Sequence, residues 1–234
     1  MFRSSGVAAF ALTLVPLLAG ALEAPTSELR PFTASFSITW HGMSAGTARL
    51  QLQRLEDGRW AYQSLSTARG LFRLAMPAEL RSRSEFAIRE GRILPDRFTA
   101  DDGASSTSKD QDLRFDWNTQ RVTGVAEKRR VDLPLQPGVL DTMSVQIALM
   151  HELLVGNTPR YFVIVDKGRI KDYNYTAVGE ETLVTPIGEY RTLVYRSTRP
   201  GSETGTYFWC APALGYLPLK VERREGSKVQ WSMA

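Results

Sequence analysis

Cysteine is nearly absent. A single residue, Cys210, stands among 234, so no intramolecular disulfide can form and a cysteine-based metal cluster is excluded. Stability must come from packing, and Cys210, set in Tyr207-Phe208-Trp209-Cys210, reads as a buried inert thiol. Histidine is almost as scarce: His41 and His151 are the only two, and His151-Glu152 is followed by Leu153 and Leu154 with no second histidine at ligand spacing. No metal site is expected. Also missing are a Gly-x-Ser-x-Gly elbow, a Gly-x-x-x-x-Gly-Lys-Ser/Thr phosphate loop and a Gly-x-Gly-x-x-Gly fingerprint, so neither a nucleotide cofactor nor any other cofactor is expected. The carboxylate doublets Asp101-Asp102 and Glu180-Glu181 cannot form an acid–base dyad by themselves, because adjacent strand residues point to opposite faces. No catalytic residues are assigned.

Long apolar runs are confined to the beginning of the chain. Arg3, the apolar run from Gly6 to Leu18 broken only by Thr13, and Ala19-Gly20-Ala21 have the order of a secretory signal peptide, with cleavage expected after Ala21. The run is shorter than the ~20 residues that span a bilayer. No cysteine follows it, so a lipid-anchored start is not expected either. Residues 22–234 then form the exported part, without a transmembrane segment, and the periplasm is the expected compartment. Removing Arg3 lowers a formal charge of +4 by one. That mild excess suits at most a weak preference for anionic head groups. A secretory leader argues against nucleic acid, and Lys128-Arg129-Arg130 suits a solvated loop or strand edge.

Alternation of apolar and polar residues dominates what remains. Phe32, Ala34, Phe36, Ile38 and Trp40 share one face of a strand, while Thr33, Ser35, Ser37 and Thr39 share the other. His41-Gly42-Met43 leads tightly into 45–55, where Ala48, Leu50 and Leu52 alternate with Arg49, Gln51 and Gln53, and Asp57-Gly58 turns the chain into 60–67. Residues 68–78 break the pattern and suit a loop capping a barrel mouth. Strands resume over 79–89 and 93–100 around Glu90-Gly91, a polar loop follows over 101–110, and 113–117 pairs with 121–126. One amphipathic helix is predicted over about 141–155: Asp141 caps it with Ser144 three residues on, Met143, Ile147, Met150 and Leu154 form its apolar stripe, and Gly156 stops it. Further strands follow over 161–165, 171–184, 189–197, 204–210, 217–223 and 229–233, roughly a dozen in all. Trp40, Trp60, Trp117, Trp209 and Trp231 fall on separate strands, which suits core packing better than a stacked carbohydrate platform. Without repeat, linker or low-complexity tract, the expected fold is mainly β, a single antiparallel meander sheet rolled into a partial or closed barrel, one domain over 22–234.

An ordered set of short motifs adds to this. Trp40-His41-Gly42-Met43-Ser44-Ala45-Gly46 is followed by Arg83-Ser84-Glu85-Phe86, Ile93-Leu94-Pro95, Phe115-Asp116-Trp117 and Asp141-Thr142-Met143-Ser144. Val165-Asp166-Lys167-Gly168, Thr185-Pro186-Ile187-Gly188, Trp209 and Leu217-Pro218-Leu219-Lys220 complete it. Together, over nearly the whole chain after the leader, they resemble the bacterial envelope proteins grouped as domain of unknown function 3108. The resemblance implies a signal-bearing periplasmic β protein with no assigned enzymatic activity, and it carries over no catalytic residue. Each motif also has a reading in architecture: Gly46 lets strands approach closely, Pro186 and Gly188 build a turn, and Asp141 begins the helix.

The first functional expectation is a non-enzymatic periplasmic envelope protein whose rolled sheet holds a hydrophobic or amphiphilic ligand such as a lipid. In it Leu71, Phe72, Leu74 and Met76 line or cover the mouth, and Arg69 and Arg73 give the polar rim. The alternative is a structural or interaction protein that contacts another envelope protein through a sheet edge or the 101–110 loop. A carboxylate-based hydrolase comes last, since it needs two carboxylates, or a histidine and a carboxylate, converging in one cleft.

Overall fold

The computed structural model describes residues 28–234, so the leader expected at residues 1–21 lies outside the described residues. Strands β1 (Phe32–Trp40), β2 (Met43–Arg54) and β3 (Trp60–Ala68) make the meander that alternation predicts. His41 and Gly42 both take positive φ (45° and 79°), which gives the two-residue turn whose twist matches its flanking strands. Phe36, Ala48, Leu50 and Leu52 are buried, while Thr33, Ser35 and Ser37 are exposed. The expected face of β1 fails at its end. A bulge between Ile38 and Thr39 shifts the register, and Trp40 is 44 % exposed instead of packed in the core.

The chain continues through a helical turn, α1 (Phe72–Ala75), into β4 (Leu80–Arg89), β5 (Arg92–Asp101), β6 (Gln111–Asp116) and β7 (Arg121–Ala126). Two strands that alternation does not predict follow, β8 (Arg129–Pro134) and β9 (Val139–Asp141), and then the helix α2 (Ser144–Leu154). The rest is β10 (Tyr161–Asp166), β11 (Arg169–Thr185), β12 (Gly188–Thr198), β13 (Thr204–Ala211), β14 (Leu217–Glu225) and β15 (Lys228–Met233).

All 15 strands join one sheet in the order β8-β7-β6-β5-β4-β3-β2-β1-β15-β14-β13-β12-β11-β10-β9. This is chain order bent into a ring: β1 pairs with β15, and the sheet stays open between β8 and β9, which residues 135–138 connect. Neighbours are antiparallel except β9 and β10, whose parallel pairing is made possible by the crossover through α2. The β8 edge carries Arg129 and Arg130, charges that blunt further pairing.

One buried cluster gathers Leu50, Leu52, Tyr62 and Phe86 with Ile147, Leu149, Tyr195 and Leu219, and a second gathers Phe98, Leu113 and Val122 with Val139 and Val165. The helix packs on β4, β5 and β9. Ser144, Val145, Ile147, Ala148, Leu149, Met150 and Leu153 are all buried, so α2 is enclosed over most of its circumference and not along one stripe. No described helix is long and apolar enough to cross a membrane.

Candidate functional site

Among the described residues the wall of the sheet stops short beside β15, a strand of 6 residues next to the 9 of β1. β1 meets β15 from Ile38 to Trp40, and Ser37 adds mutual backbone bonds with Ala234 (2.8 and 3.0 Å). On the far side β14 meets β15 only from Val221 onward. Among the described residues, Phe32–Phe36 and Leu217–Lys220 therefore pair on one side alone, with β2 and with β13.

Beside this gap lies a partly open cavity of about 1950 Å³. Its apolar lining comes from Phe32, Ala34 and Phe36 of β1, Met150, Leu153 and Leu154 at the end of α2, and Leu217 and Leu219 of β14. Val184 at the end of β11 and Ile187 in the β11–β12 turn reach it as well and are 83 % and 68 % exposed, so they belong to its rim. Glu28, Arg30, Arg49, Glu79 and Lys220 supply its charges. Lys220 is held in place: its ammonium lies 2.8 Å from Glu222 Oε1 and 4.4 Å from the centre of the Trp209 ring. Burial pushes the Glu222 carboxyl up, but the bonds from Lys220 and Arg224 outweigh it and leave the group below its ordinary value.

The six residues expected to bind ligand do not line this cavity. Arg69, Leu71, Phe72, Arg73, Leu74 and Met76 form α1 and its flanks. Leu71 and Leu74 are each 83 % exposed, Arg69 and Arg73 are exposed, and Phe72 and Met76 are half-buried. A single helical turn has no second layer to cover it. Thr67 and Glu79, which bracket the segment, do reach the cavity, so these six stand next to it and not in it. The residues that do line it went unrecognised in the sequence because they sit at alternate positions of strands far apart in the chain. The one sequence signal was the shortness of the final alternating segment.

Two other constellations bear on chemistry. Asp101, Asp102 and Asp110 bring carboxylate oxygens within 4.8 Å of one another, the one grouping of metal-ligating type among the described residues. Asp101 and Asp102 accept the backbone N–H of Gly103 and Ala104, and the Lys109 ammonium lies 3.7 Å from Asp102, so the group serves its own loop. The second is buried. Ser84 Oγ donates to Asp141 Oδ2 (2.6 Å), while Asp141 Oδ1 accepts the N–H of Met143 and of Ser144 (2.7 and 2.8 Å) and Ser144 Oγ accepts the N–H of Asp141 (2.9 Å). That reciprocity is a helix cap of the expected kind. It lacks an imidazole: His41 is in the β1–β2 turn, and His151 Nε2 lies 3.0 Å from the Gly91 carbonyl oxygen. Neither histidine lines the cavity. Glu180 pairs with Arg191, and Glu181 accepts from Trp209 Nε1 at 2.6 Å, so that doublet splits as adjacent strand residues must.

A family model described as protein of unknown function (DUF3108) matches residues 35–227. No curated protein matches the chain. Among solved structures, a beta-barrel-like protein of domain of unknown function DUF1849 from Brucella abortus is similar over 87% of this chain and 93% of its own, at 8% identity and a TM-score of 0.49. MucB, crystallised in complex with MucA(peri), is similar over 87% of each chain, at 8% identity and a TM-score of 0.18.

Proposed function

This chain belongs to the DUF3108 family of proteins of unknown function, and from that premise we propose that it is exported to the periplasm and acts there without catalysis, as an envelope protein that holds the apolar part of an amphiphilic molecule in its open sheet. The observation that carries the reading is the cavity of about 1950 Å³ walled by Phe32, Ala34, Phe36, Leu153, Leu217 and Leu219. Ligand pockets commonly measure ~300–1,000 Å³, so this hollow accommodates a long chain or more than one. Hydrocarbon suits such a wall, since each Å² it removes from water contributes about 25 cal/mol and it brings no polar group that would need a partner. The polar end of the ligand falls at the rim, where Arg30 and Lys220 suit an anionic head group. Export rests on the leader, Arg3 with the apolar run from Gly6 to Leu18.

The test uses dansyl-undecanoic acid as a fluorescent probe and Ala34→Trp as a cavity-filling variant. Saturable probe binding is expected, at least tenfold weaker in the variant while its far-UV circular dichroism is unchanged. Absence of probe binding, together with absence of any amphiphile in mass spectra of protein purified from periplasm, would end this reading. N-terminal sequencing of the periplasmic fraction is expected to begin at Leu22; recovery of intact chain in the cytoplasm alone would contradict export.

A further inference from the structure

Leu71 and Leu74 are each 83 % exposed, and no loose loop carries them. Backbone bonds fasten α1 and its flanks: the N–H of Phe72 donates to Arg69 (3.2 Å), Arg73 to Gly70 (3.2 Å), Leu74 to Leu71 (3.1 Å) and Met76 to Phe72 (3.0 Å). Leu71 and Leu74 are three residues apart and share one side of the turn, while Phe72 and Met76, four apart, share another and are half-buried. The turn thus rests on Phe72 and Met76 and displays both leucines. A single exposed leucine is ordinary, but a fixed pair with further apolar neighbours marks a contact surface.

The neighbours come from the β1–β2 turn, at the same end of the sheet. β3 ends beside the start of β2, with Ala68 opposite Gly46, and the Arg69 N–H donates to the Ala45 carbonyl at 2.8 Å. In that turn Trp40 stands opposite Met43, and the two are 44 % and 59 % exposed. Charge says what this end of the sheet can meet. Residues 68–78 contain two arginines, Arg69 and Arg73, and no carboxylate; both arginines are exposed and form no ion pair among the described residues. The carboxylates that follow have cations of their own, Glu79 with Arg81 (3.0 Å) and Asp102 with Lys109 (3.7 Å). A second copy seated on this end would bring the four arginines of the two patches together. A folded partner uses ~20–30 residues on each side, and this display offers four apolar side chains. A bilayer sets no such requirement: each apolar side chain that enters the acyl boundary is stabilised separately, tryptophan suits the headgroup level, and arginine bonds phosphate.

We propose that this end of the sheet is a docking tip for an anionic phospholipid bilayer, in which Leu71 and Leu74 enter the acyl boundary, Trp40 and Met43 settle at the headgroup level, and Arg69 and Arg73 bind lipid phosphates. The attachment is reversible, since a few side chains bury far less apolar surface than a spanning helix does. It is also local: the formal charge of the whole chain is only +4, so the preference for anionic lipid comes from two arginines placed beside the leucines and not from the overall charge. This goes beyond the amphiphile reading and does not rest on it.

The exported chain, residues 22–234, is floated with vesicles of phosphatidylglycerol and phosphatidylcholine in equal parts and with vesicles of phosphatidylcholine alone. Saturable binding to the first is expected, at least about tenfold tighter than to the second and weakened by salt. Leu71→Ser with Leu74→Ser should weaken it at least about tenfold while far-UV circular dichroism stays unchanged, since neither leucine is packed. Arg69→Gln with Arg73→Gln should remove most of the preference for the anionic vesicle. Should either pair disturb the fold, an environment-sensitive thiol dye on Ala75→Cys still decides the matter. Ala75 is exposed and Cys210 is buried, so the label reports on α1, and its emission should shift to the blue with anionic vesicles only. Absence of binding, equal binding to both vesicles, or binding to which neither the leucine pair nor the label responds overturns the proposal. So does a native dimer that the leucine pair converts to monomer, which would give this surface to a second copy. Dansyl-undecanoic acid binding without vesicle binding removes this inference and leaves the amphiphile reading; the reverse result removes that reading and leaves this one.

Discussion

Asp141 is fully buried, yet each of its carboxylate contacts is with a donor: Ser84 Oγ–H and the N–H groups of Met143 and Ser144. Burial pushes its carboxyl above the ordinary value of 3.8, and the hydrogen bonds from Ser84, Ser144 and Met143 oppose that rise without cancelling it. The folded protein therefore holds this proton more tightly than the unfolded chain does. The stability linked to it is complete below the ordinary carboxylate value and is lost as pH rises through the higher folded one. Asp141→Asn keeps an oxygen for the two N–H groups and has no such proton. Its stability relative to wild type should improve in urea unfolding as pH rises above the ordinary carboxylate value of 3.8, and a difference that is flat or of opposite slope would count against the assignment. Asp141→Ala should be worse at every pH, by about 1–3 kcal/mol for each buried donor left unpaired. Gly46 owes its identity to contact instead: a Cβ there would stand 2.3 Å from the Thr67 carbonyl oxygen on the facing strand. Cys210, with its thiol pushed up to about 12 by burial, is the inert packing residue that its aromatic neighbours indicate.

Among the elements, α2 is the one whose loss the sheet can least absorb, since it fills the hollow between β4, β5 and β9 and its buried residues join the larger core. Ile147 is completely buried. Ile147→Ala should cost about 2–5 kcal/mol in chemical denaturation and Ile147→Val about 0.5–1.5 kcal/mol, the graded response of a tightly packed site. Equal, small effects would mean that the helix lies loosely on the sheet. Alternation made most strands legible, because one face of each is wet and the other dry. It failed where that contrast, or the turn chemistry, is missing. The turn into β8 is Glu127-Lys128, both at positive φ (50° and 63°) without the glycine or asparagine that announces such a turn, and β9 has only 3 residues. The stripe assigned to α2 was too narrow because Val145, Ala148, Leu149 and Leu153 are as buried as Ile147 and Met150, a pattern that marks an enclosed helix. The cavity was out of reach for another reason: it depends on β1 pairing with β15, a contact between opposite ends of the chain that no local pattern encodes.

That same pairing governs the whole molecule. Strand neighbours follow chain order everywhere except at β1–β15, so the sheet could in principle behave as two runs, β1–β8 and β9–β15, joined by 135–138 and one ladder. Packing argues otherwise. The first core cluster mixes Leu52, Tyr62 and Phe86 of one run with Ile164, Tyr195 and Leu219 of the other, and the second sets Leu113 and Val122 against Val139 and Val165. Ser84–Asp141 and Gly91–His151 add polar ties across the same boundary. Each run alone would expose its half of both clusters, a loss of about 25 cal/mol per Å² of apolar surface that neither could recover. A protease site placed at Gln136–Gly138, where the two edge strands are not paired with each other, cuts the connection without breaking a ladder. The cut protein should elute as one species under native conditions, keep its far-UV spectrum and unfold in a single transition, with its fragments separating only in denaturant. Two fragments that part and stay folded would establish independent lobes, and the cavity between β1, α2 and β14 would then have to belong to one lobe alone, which its lining residues do not allow.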